Sequence, residues 1–311
     1  MARIVFMGTP EFAVPILEAL ITTPHDIPGV FTRPDQPAGR GKKIQPSPVK
    51  VLAESRGLPV LQPKSFRRPE AVDALRNLAP DLVVVAAFGL ILPLDVLAIP
   101  ARGSVNTHAS LLPRHRGAAP IMAAILAGDD ETGITLIQMD PGLDTGPILA
   151  QRAIPIDQVD TTGTLTPKLA RLAADLLIET LPRILAGEVV PHPQDETQAT
   201  VFRTIRKEEG LIDWTRPAVE LARRVRAFNP WPSAYTFWNG LGLKVLRARA
   251  VPSSLIAEHG RVMRLKDEIA VSTGDGGLVL QQVQLAGKRA MDIDDFIRGQ
   301  RDFVGSTLKN A

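Results

Sequence analysis

The feature that most constrains the fold is the run Val83-Val-Val-Ala-Ala-Phe88, in which no side chain is polar. A β-strand with one face in water alternates apolar and polar residues, whereas a strand covered on both faces is apolar throughout. Strands of the second kind belong mainly to parallel sheets with helices on both sides. The run therefore predicts a buried strand at the centre of an α/β domain.

The segments before this run alternate between strand and helix patterns. Short apolar runs at Arg3–Met7 and Ile27–Thr32 predict two further strands. Apolar residues at helical spacing in Pro48–Gly57 and Pro69–Leu78 predict two helices. Together these patterns predict a doubly wound, mostly parallel, Rossmann-like sheet.

The turn after the first strand contains one glycine, Gly8, where a dinucleotide-binding Gly-x-Gly-x-x-Gly turn has three. A dinucleotide cofactor is therefore disfavoured. We expect Thr9 to cap the next helix and Pro10 to occupy its first position, since both residue types favour those positions. Further on, the spacing predicts three more strands and a long helix that ends at Gly187, the strands being Gly103–His108, Ile134–Met139 and Ile148–Ile156.

With 311 residues, 45% of them hydrophobic, the chain is long enough for two hydrophobic cores. It has no cysteine, which excludes disulfides, thiolate metal sites and a cysteine nucleophile. The N-terminal apolar run is too short for a signal peptide, and no apolar run approaches the roughly 20 residues of a transmembrane helix. We expect a cytoplasmic protein without membrane contact, and we expect it to be a monomer.

The last third of the chain has a different pattern. A basic helix is predicted at Trp214–Phe228, and short β-segments separated by turn residues follow at 234–238, 243–250, 260–265, 269–273 and 278–285. This many short strands in so few residues indicates a small β-barrel of the oligonucleotide-binding (OB) type. We predict a catalytic α/β domain over residues 1–188, a polar, proline-bearing linker over residues 189–207 and an OB-like domain over residues 208–311.

The basic excess of the chain lies in its C-terminal part. Residues 208–311 contain 15 basic and 12 acidic side chains, whereas residues 1–207 contain 21 of each, and the net charge is +3. A bias of this size is compatible with a phosphate-rich partner and also with an ordinary solvated surface.

Residues 33–48 interrupt the α/β pattern with four prolines, two glycines and four basic residues. This composition disfavours helix and strand, so an irregular loop is expected. Connections of this length are uncommon in compact α/β domains unless they are functional or disordered. Arg40, Lys42 and Lys43 could bind phosphate groups, or the loop could simply be solvated.

Three polar residues outline a candidate site. Asn106 and His108 lie two positions apart on a predicted strand, so their side chains share one face, and Asp144 lies in the loop Asp140–Pro147. Amide and imidazole N–H groups can stabilise the oxyanion that forms when a nucleophile attacks an acyl carbon. A carboxylate can take the proton of an amine nucleophile, and its charge raises the pKa of a nearby histidine.

The same residues also have ordinary structural interpretations. Asn106 could be a turn residue, His108 a core histidine and Asp144 a loop cap. Ser110 lacks the Gly-x-Ser-x-Gly turn of an exposed nucleophile, so a structural or ligand-binding hydroxyl is expected. No second histidine lies at zinc spacing, and we expect no metal. The run Leu90–Leu92 could line a pocket or belong to the core.

The chain resembles the folate-dependent formyltransferases. The resemblance is carried by Asn106-x-His108, by Ser110-Leu-Leu-Pro-Arg-His-Arg-Gly-Ala-Ala-Pro120 and by Met139-Asp-Pro-Gly-Leu-Asp-Thr-Gly146. Further matching stretches extend it over nearly the whole chain and narrow it to family members that act on tRNA: Pro37–Lys43, Gln194–Thr197, Lys207–Glu209, Ile212–Trp214 and Arg226–Pro232.

This resemblance implies transfer of the formyl group of 10-formyltetrahydrofolate to the α-amine of initiator methionyl-tRNA. Asn106 and His108 would stabilise the oxyanion, and Asp144 would take the amine proton and keep His108 charged. The tRNA-binding loop of the family corresponds to residues 33–48, with Arg40, Lys42 and Lys43 as contacts. Its folate pocket corresponds to Phe88, Gly89, Leu90, Ile91, Leu92, Ser110, Leu111, Leu112 and Pro113.

Other functions remain open at this point. Formyl transfer to a small amine, such as a nucleotide sugar or glycinamide ribonucleotide, would use the same catalytic residues but would need neither the basic loop nor the barrel. Hydrolysis of formyltetrahydrofolate would place water where the amine attacks. A non-catalytic nucleic-acid-binding protein would not need Asn106, His108 and Asp144 together.

Overall fold

The structure is a computed structural model that describes residues 1–38, 43–252 and 257–310. In chain order its β-strands are β1 (Ile4–Gly8), β2 (Val30–Phe31), β3 (Gln36–Ala38), β4 (Lys43–Gln45), β5 (Val60–Leu61), β6 (Leu82–Ala86), β7 (Ser104–His108), β8 (Arg116–Gly117), β9 (Glu131–Gln138), β10 (Ile148–Pro155), β11 (Val201–Phe202), β12 (Ala234–Trp238), β13 (Leu241–Val251), β14 (Val262–Leu265), β15 (Glu268–Ser272), β16 (Gly277–Leu285) and β17 (Met291–Asp292). Its α-helices are α1 (Val14–Ile21), α2 (Pro48–Ser55), α3 (Pro69–Asn77), α4 (Leu94–Leu97), α5 (Pro120–Ala127), α6 (Thr162–Ala186), α7 (Ala218–Ala227) and α8 (Ile293–Gly299).

The chain forms two compact units. The first consists of residues 1–120, 131–155 and 166–202, and the second of residues 121–130, 156–165 and the chain from residue 203 onwards. Residues 189–202 thus belong to the first unit. The domain boundaries at residues 188 and 207 stay a prediction.

The first unit is built on a seven-stranded sheet with the strand order β10-β9-β7-β6-β1-β2-β5. The pairs β1–β2, β1–β6, β2–β5 and β6–β7 are parallel, whereas β9 runs antiparallel to β7 and β10. Strand β6 is buried at every residue and lies between β1 and β7. The predicted mostly parallel sheet, with its fully apolar inner strand, is confirmed.

The core of this unit contains a cluster of three aromatic rings. Phe31, Phe66 and Phe88 are buried together, with ring centroids 5.6 and 6.2 Å apart in successive pairs.

Strand β1 has β6 on one side and β2 on the other, so the chain order reverses beside it. Open α/β sheets bind ligands at the carboxyl ends of strands on either side of such a reversal.

The beginning of the first helix differs from the prediction. A 3-10 turn covers Glu11–Ala13, and α1 begins only at Val14. The Thr9 hydroxyl does not cap a helix but donates a hydrogen bond of 3.0 Å to the Phe88 carbonyl. The loops that follow β1 and β6 lie side by side, and the Thr9 oxygen accepts a hydrogen bond of 3.3 Å from the backbone N–H of Arg33 rather than from a helix N–H. At the other end of the unit, Gly187 follows α6 with φ +75°, as predicted for its C-cap.

Residues 33–48 contain regular structure, so the prediction of an irregular loop is wrong. Strands β3 and β4 form an antiparallel ladder in which Gln36 pairs with Gln45. The ladder is short and two-stranded, so its one proline, Pro37, interrupts few hydrogen bonds. At its base the Asp35 carboxylate accepts a hydrogen bond of 2.7 Å from Lys50, which is the first cause of the lowered pKa of Asp35.

Two of the predicted tRNA contacts, Arg40 and Lys42, lie outside the described residues. Lys43 is described through its backbone, as the first residue of β4. Their role therefore stays a prediction.

The second unit contains an antiparallel sheet with the strand order β12-β13-β16-β15-β14, and β17 also pairs with β16. The last residues of the chain bond to both edge strands: Phe237 of β12 exchanges two main-chain hydrogen bonds of 3.0 Å with Lys309, and Val262 of β14 donates one of 2.9 Å to Ser306. The predicted C-terminal domain of short β-strands is confirmed, and its strands pair antiparallel. Its closure into an OB-type barrel stays a prediction.

The predicted helix Trp214–Phe228 is shorter than expected, because α7 begins at Ala218. The Trp214 indole is buried in the core of the second unit, where its N–H donates to the Thr236 hydroxyl at 3.2 Å. This burial holds residues 214–217 in a turn rather than in the helix.

Among the described residues, every helix is too short or too polar to cross a lipid bilayer.

Candidate functional site

Strand β7 presents alternate side chains to opposite faces of the sheet. Thr107 points to one face, where its hydroxyl donates a hydrogen bond of 3.3 Å to the Val85 carbonyl. Asn106 and His108 point to the other face, as the period of two predicts. Asn106 is half-buried and His108 is 5% exposed.

The loop that carries Asp144 folds back over this second face. Because β9 runs antiparallel to β7, it ends beside Val105, at the amino end of β7. The loop from Met139 to Pro147 must therefore return along the sheet to reach Asn106 and His108. Asp144 does so with φ +54°, in the left-handed region that few residues other than glycine adopt.

The Asp144 carboxylate brings the three predicted residues together. Its Oδ1 accepts a hydrogen bond of 3.3 Å from Asn106 Nδ2, and its Oδ2 lies 3.5 Å from His108 Nδ1. Oδ2 also accepts a hydrogen bond of 2.8 Å from the backbone N–H of Gly117. The carboxylate is thus oriented by groups on β7 and β8, with 14% of its side chain exposed.

The two ring nitrogens of His108 have different neighbours. Nε2 lies 2.9 Å from the His115 carbonyl oxygen, which can only accept, so Nε2 carries a hydrogen. Nδ1 faces Asp144. Burial is the largest influence on the pKa of His108 and lowers it, whereas the charge of Asp144 raises it by less. Burial and Asp144 thus act in opposite directions on the imidazole, and the expectation that Asp144 keeps His108 charged stays a prediction.

A polar network fixes the turn after β7. The Ser110 hydroxyl donates to the Arg114 carbonyl at 2.7 Å, which gives this serine a structural role. Thr135 donates to the Ser110 carbonyl at 2.7 Å and accepts from the backbone N–H of Leu112 at 3.1 Å. Leu112 and Ser110 are buried, whereas Leu111 and Pro113 are half-buried.

The residues after β6 divide between core and surface. Phe88 and Leu92 are buried in the hydrophobic core, and Leu90 packs against it. Ile91 is 82% exposed, and Gly89 is exposed with φ +80°. Of the predicted folate-pocket residues in this segment, Gly89 and Ile91 are the ones most open to a ligand, and the assignment of the pocket stays a prediction.

Three residues that support the site have no assigned role in the sequence-based prediction. Gly117 donates its N–H to Asp144, and Gln194 donates through Nε2 to the carbonyls of Asp144 and Gly146 at 2.8 and 2.7 Å. Arg116 donates to the Gln194 side-chain oxygen. Gln194 lies in the predicted linker, whose polar composition gave no sign of contact with the site.

Within the ranges that the structure describes, no group of three or more His, Cys, Asp or Glu residues could hold a metal ion. The described geometry itself provides hydrogen-bond donors on Asn106, an imidazole and a carboxylate beside it. Such a set can stabilise an oxyanion and move a proton without a covalent intermediate on the protein.

The chain matches the formyl transferase family over residues 2–181 and the formyl transferase C-terminal domain over residues 204–301. It is 51% identical to a methionyl-tRNA formyltransferase of Methylococcus capsulatus, over 95% of this chain and 96% of the relative. It is 46% identical to that of Geobacter sulfurreducens, over 99% and 97%.

Solved structures share the fold at lower identity. The N-formyltransferase of Helicobacter canadensis, in complex with folinic acid and dTDP-3-aminofucose, is 20% identical with a TM-score of 0.66, and the match covers 90% of this chain and 99% of that one. HypX of Aquifex aeolicus, in complex with tetrahydrofolic acid, is 18% identical with a TM-score of 0.61, over 97% of this chain and 48% of that one.

Proposed function

Because the chain belongs to the formyl transferase family, we propose that it transfers the formyl group of 10-formyltetrahydrofolate to the α-amine of methionine on initiator tRNA. The observation that carries this proposal is the identity of 46–51% to methionyl-tRNA formyltransferases along both units of the chain. Formyltransferases of small amines are less similar: the sugar enzyme of Helicobacter canadensis is 20% identical, and a phosphoribosylglycinamide formyltransferase is 28% identical over only 59% of this chain.

In the proposed reaction the methionine amine attacks the formyl carbon, and the carbonyl oxygen becomes an oxyanion. The Asn106 amide carries two N–H hydrogens, and its bond to Asp144 uses one of them. The other can donate to the oxyanion, which lowers the barrier because charge develops on that oxygen in the transition state.

The amine must lose a proton as the new C–N bond forms. Asp144 and His108 are suited to receive it together, since Oδ2 and Nδ1 face each other at 3.5 Å. Since burial favours the neutral form of His108, the ring can take up the proton from the amine by way of Asp144 or a water. The imidazolium so formed stabilises the oxyanion through its positive charge, while its two N–H groups face Asp144 and the His115 carbonyl. When the intermediate collapses, the bond between the formyl carbon and N10 of the folate breaks, and the proton passes to N10.

The remaining assignments follow the family resemblance. The folate lies against Gly89–Leu92 and the turn Ser110–Pro113, which follow the carboxyl ends of neighbouring parallel strands. Arg40, Lys42 and Lys43 contact tRNA phosphates, and the second unit binds the tRNA as an OB-like domain.

The proposal is tested with purified protein, 10-formyltetrahydrofolate and initiator tRNA charged with methionine. We expect formyl-methionyl-tRNA, with dTDP-3-aminofucose and glycinamide ribonucleotide as poor acceptors at equal concentration. Transfer to either small amine without transfer to the tRNA would refute the proposed acceptor. Release of formate without any acceptor product would instead indicate a hydrolase.

A further inference from the structure

Asp144 has a backbone conformation that needs support from its surroundings. Its φ of +54° lies in a region that side chains with a Cβ rarely adopt. Its loop also has to return over the sheet from the amino end of β7. Contacts to the loop backbone therefore act together with the bonds from Asn106 and Gly117 to keep the carboxylate in place.

The Gln194 side chain supplies two such contacts. Its amide nitrogen lies 2.8 Å from the Asp144 carbonyl oxygen and 2.7 Å from the Gly146 carbonyl oxygen. Carbonyl oxygens only accept hydrogen bonds, so the amide must point its NH₂ group toward the loop and use both hydrogens there. The two bonds bracket the turn in which Asp144 lies.

Arg116 fixes the orientation of this amide. Its Nε and Nη2 donate to the Gln194 Oε1 at 3.0 and 2.8 Å, and a guanidinium has no acceptor for the NH₂ group if the amide turns over. Both terminal nitrogens of Arg116 also bond to the Glu196 carboxylate, at 2.9 and 2.7 Å. The Arg116 side chain is only 5% exposed. Because its guanidinium is planar and buried, Arg116 holds Gln194 and Glu196 in one geometry.

We infer that Gln194, oriented by Arg116, is a positioning residue that holds the Asp144 carboxylate in place for formyl transfer. Gln194 lies between the two stretches of the chain that match the family, residues 2–181 and 204–301. The inference rests on the proposed function, because it assigns Asp144 a part in that reaction.

The first test is the variant Gln194→Met, which has a similar length and no charge but cannot donate or accept the bonds. We expect kcat for formylation of methionyl-tRNA to fall by about 10- to 100-fold, as the loss of two hydrogen bonds suggests. Both KM values should change by less than about twofold, because a positioning residue acts through Asp144. The matched control is Gln198→Met, since Gln198 is exposed and bonds to Asp195 rather than to the loop.

A second readout needs no substrate. Burial lowers the pKa of His108, whereas the charge of Asp144 and the hydrogen bond to the His115 carbonyl raise it. If Asp144 moves away in Gln194→Met, the pKa of His108 measured by NMR on its ring nitrogens should fall below the wild-type value. A general loosening of the fold would instead expose the ring and raise the pKa of His108. The control Gln198→Met should leave this pKa unchanged.

If Gln194→Met does not fold, the variant Gln194→Glu is used in its place. The glutamate keeps an acceptor for Arg116 and loses both donors to the loop. Its kcat should also fall at an unchanged melting temperature. Wild-type kcat together with an unchanged His108 pKa in a folded Gln194 variant would overturn the inference. If the wild-type protein forms no formyl-methionyl-tRNA, the proposed function fails, and the His108 pKa comparison still decides whether Gln194 positions Asp144.

Discussion

The Oδ2 atom of Asp144 lies 3.5 Å from Nδ1 of His108, although the two residues come from a loop and a strand that are distant in the chain. The opposite ring nitrogen of His108 donates to the His115 carbonyl, so the ring is held at both ends. A buried imidazole beside a partly exposed carboxylate is an arrangement that can receive a proton and return it.

Replacement of Asp144 by Asn should abolish most of the activity. The variant keeps the size of the side chain and an oxygen for the Gly117 N–H, but it removes the group that takes the amine proton. We expect kcat to fall by about 10²- to 10⁴-fold, measured in single turnovers with saturating substrates. The folate dissociation constant should remain close to that of the wild type. A parallel loss of folate binding would mean that Asp144 shapes the pocket instead.

Variants of two neighbouring residues on opposite faces of β7 should have different effects: one should lower kcat, and the other should lower the free energy of unfolding. Asn106→Ala removes a proposed oxyanion donor, and we expect kcat to fall by about 10²- to 10³-fold with little loss of stability. Thr107→Val removes a buried hydroxyl that donates to Val85. It should cost about 1 kcal/mol in the free energy of unfolding and leave kcat almost unchanged. Equal effects of both variants on kcat would contradict the proposed role of Asn106.

The depressed pKa of His108 should make stability depend on pH. Its unfolded pKa is about 6.5, and its folded pKa is lower because the ring is buried. Between these two values the unfolded chain binds more protons than the folded one, so stability falls as the pH drops through about 6.5. Urea unfolding between pH 7.5 and pH 5.5, chosen to span about one unit on either side of this value, should show the loss. The loss should be smaller in His108→Gln, and an equal loss in both proteins would exclude His108 as its cause.

Charge reversal at Arg40 should weaken the use of tRNA without affecting folate. We expect Arg40→Glu to raise the KM for methionyl-tRNA and to reduce its salt dependence, because one phosphate contact is lost. The folate KM should not change. Arg76→Glu is a matched control of equal charge, since Arg76 is exposed on α3 and pairs with Asp73. Similar increases for both variants would indicate a general charge effect rather than a contact.

Local patterns predicted most of the secondary structure correctly. The apolar run at Val83–Phe88 identified the inner strand, and the alternation along β7 placed Asn106 and His108 on one face. The errors fall where a distant partner competes with a local preference. Thr9 bonds to Phe88 instead of capping a helix, and Trp214 is buried against Thr236 instead of extending α7.

The sequence by itself determined the types of side chain, their faces on β7 and the family of the chain, because these depend on short-range periodicity and on motifs. Only the tertiary structure decided that the Asp144 loop folds back to reach Asn106 and His108, and that Gln194 and Arg116 hold the loop there. It also decided that burial outweighs the charge of Asp144 in setting the pKa of His108. The reason is physical: desolvation and hydrogen bonds between distant segments depend on how the whole unit packs, and no local pattern records them.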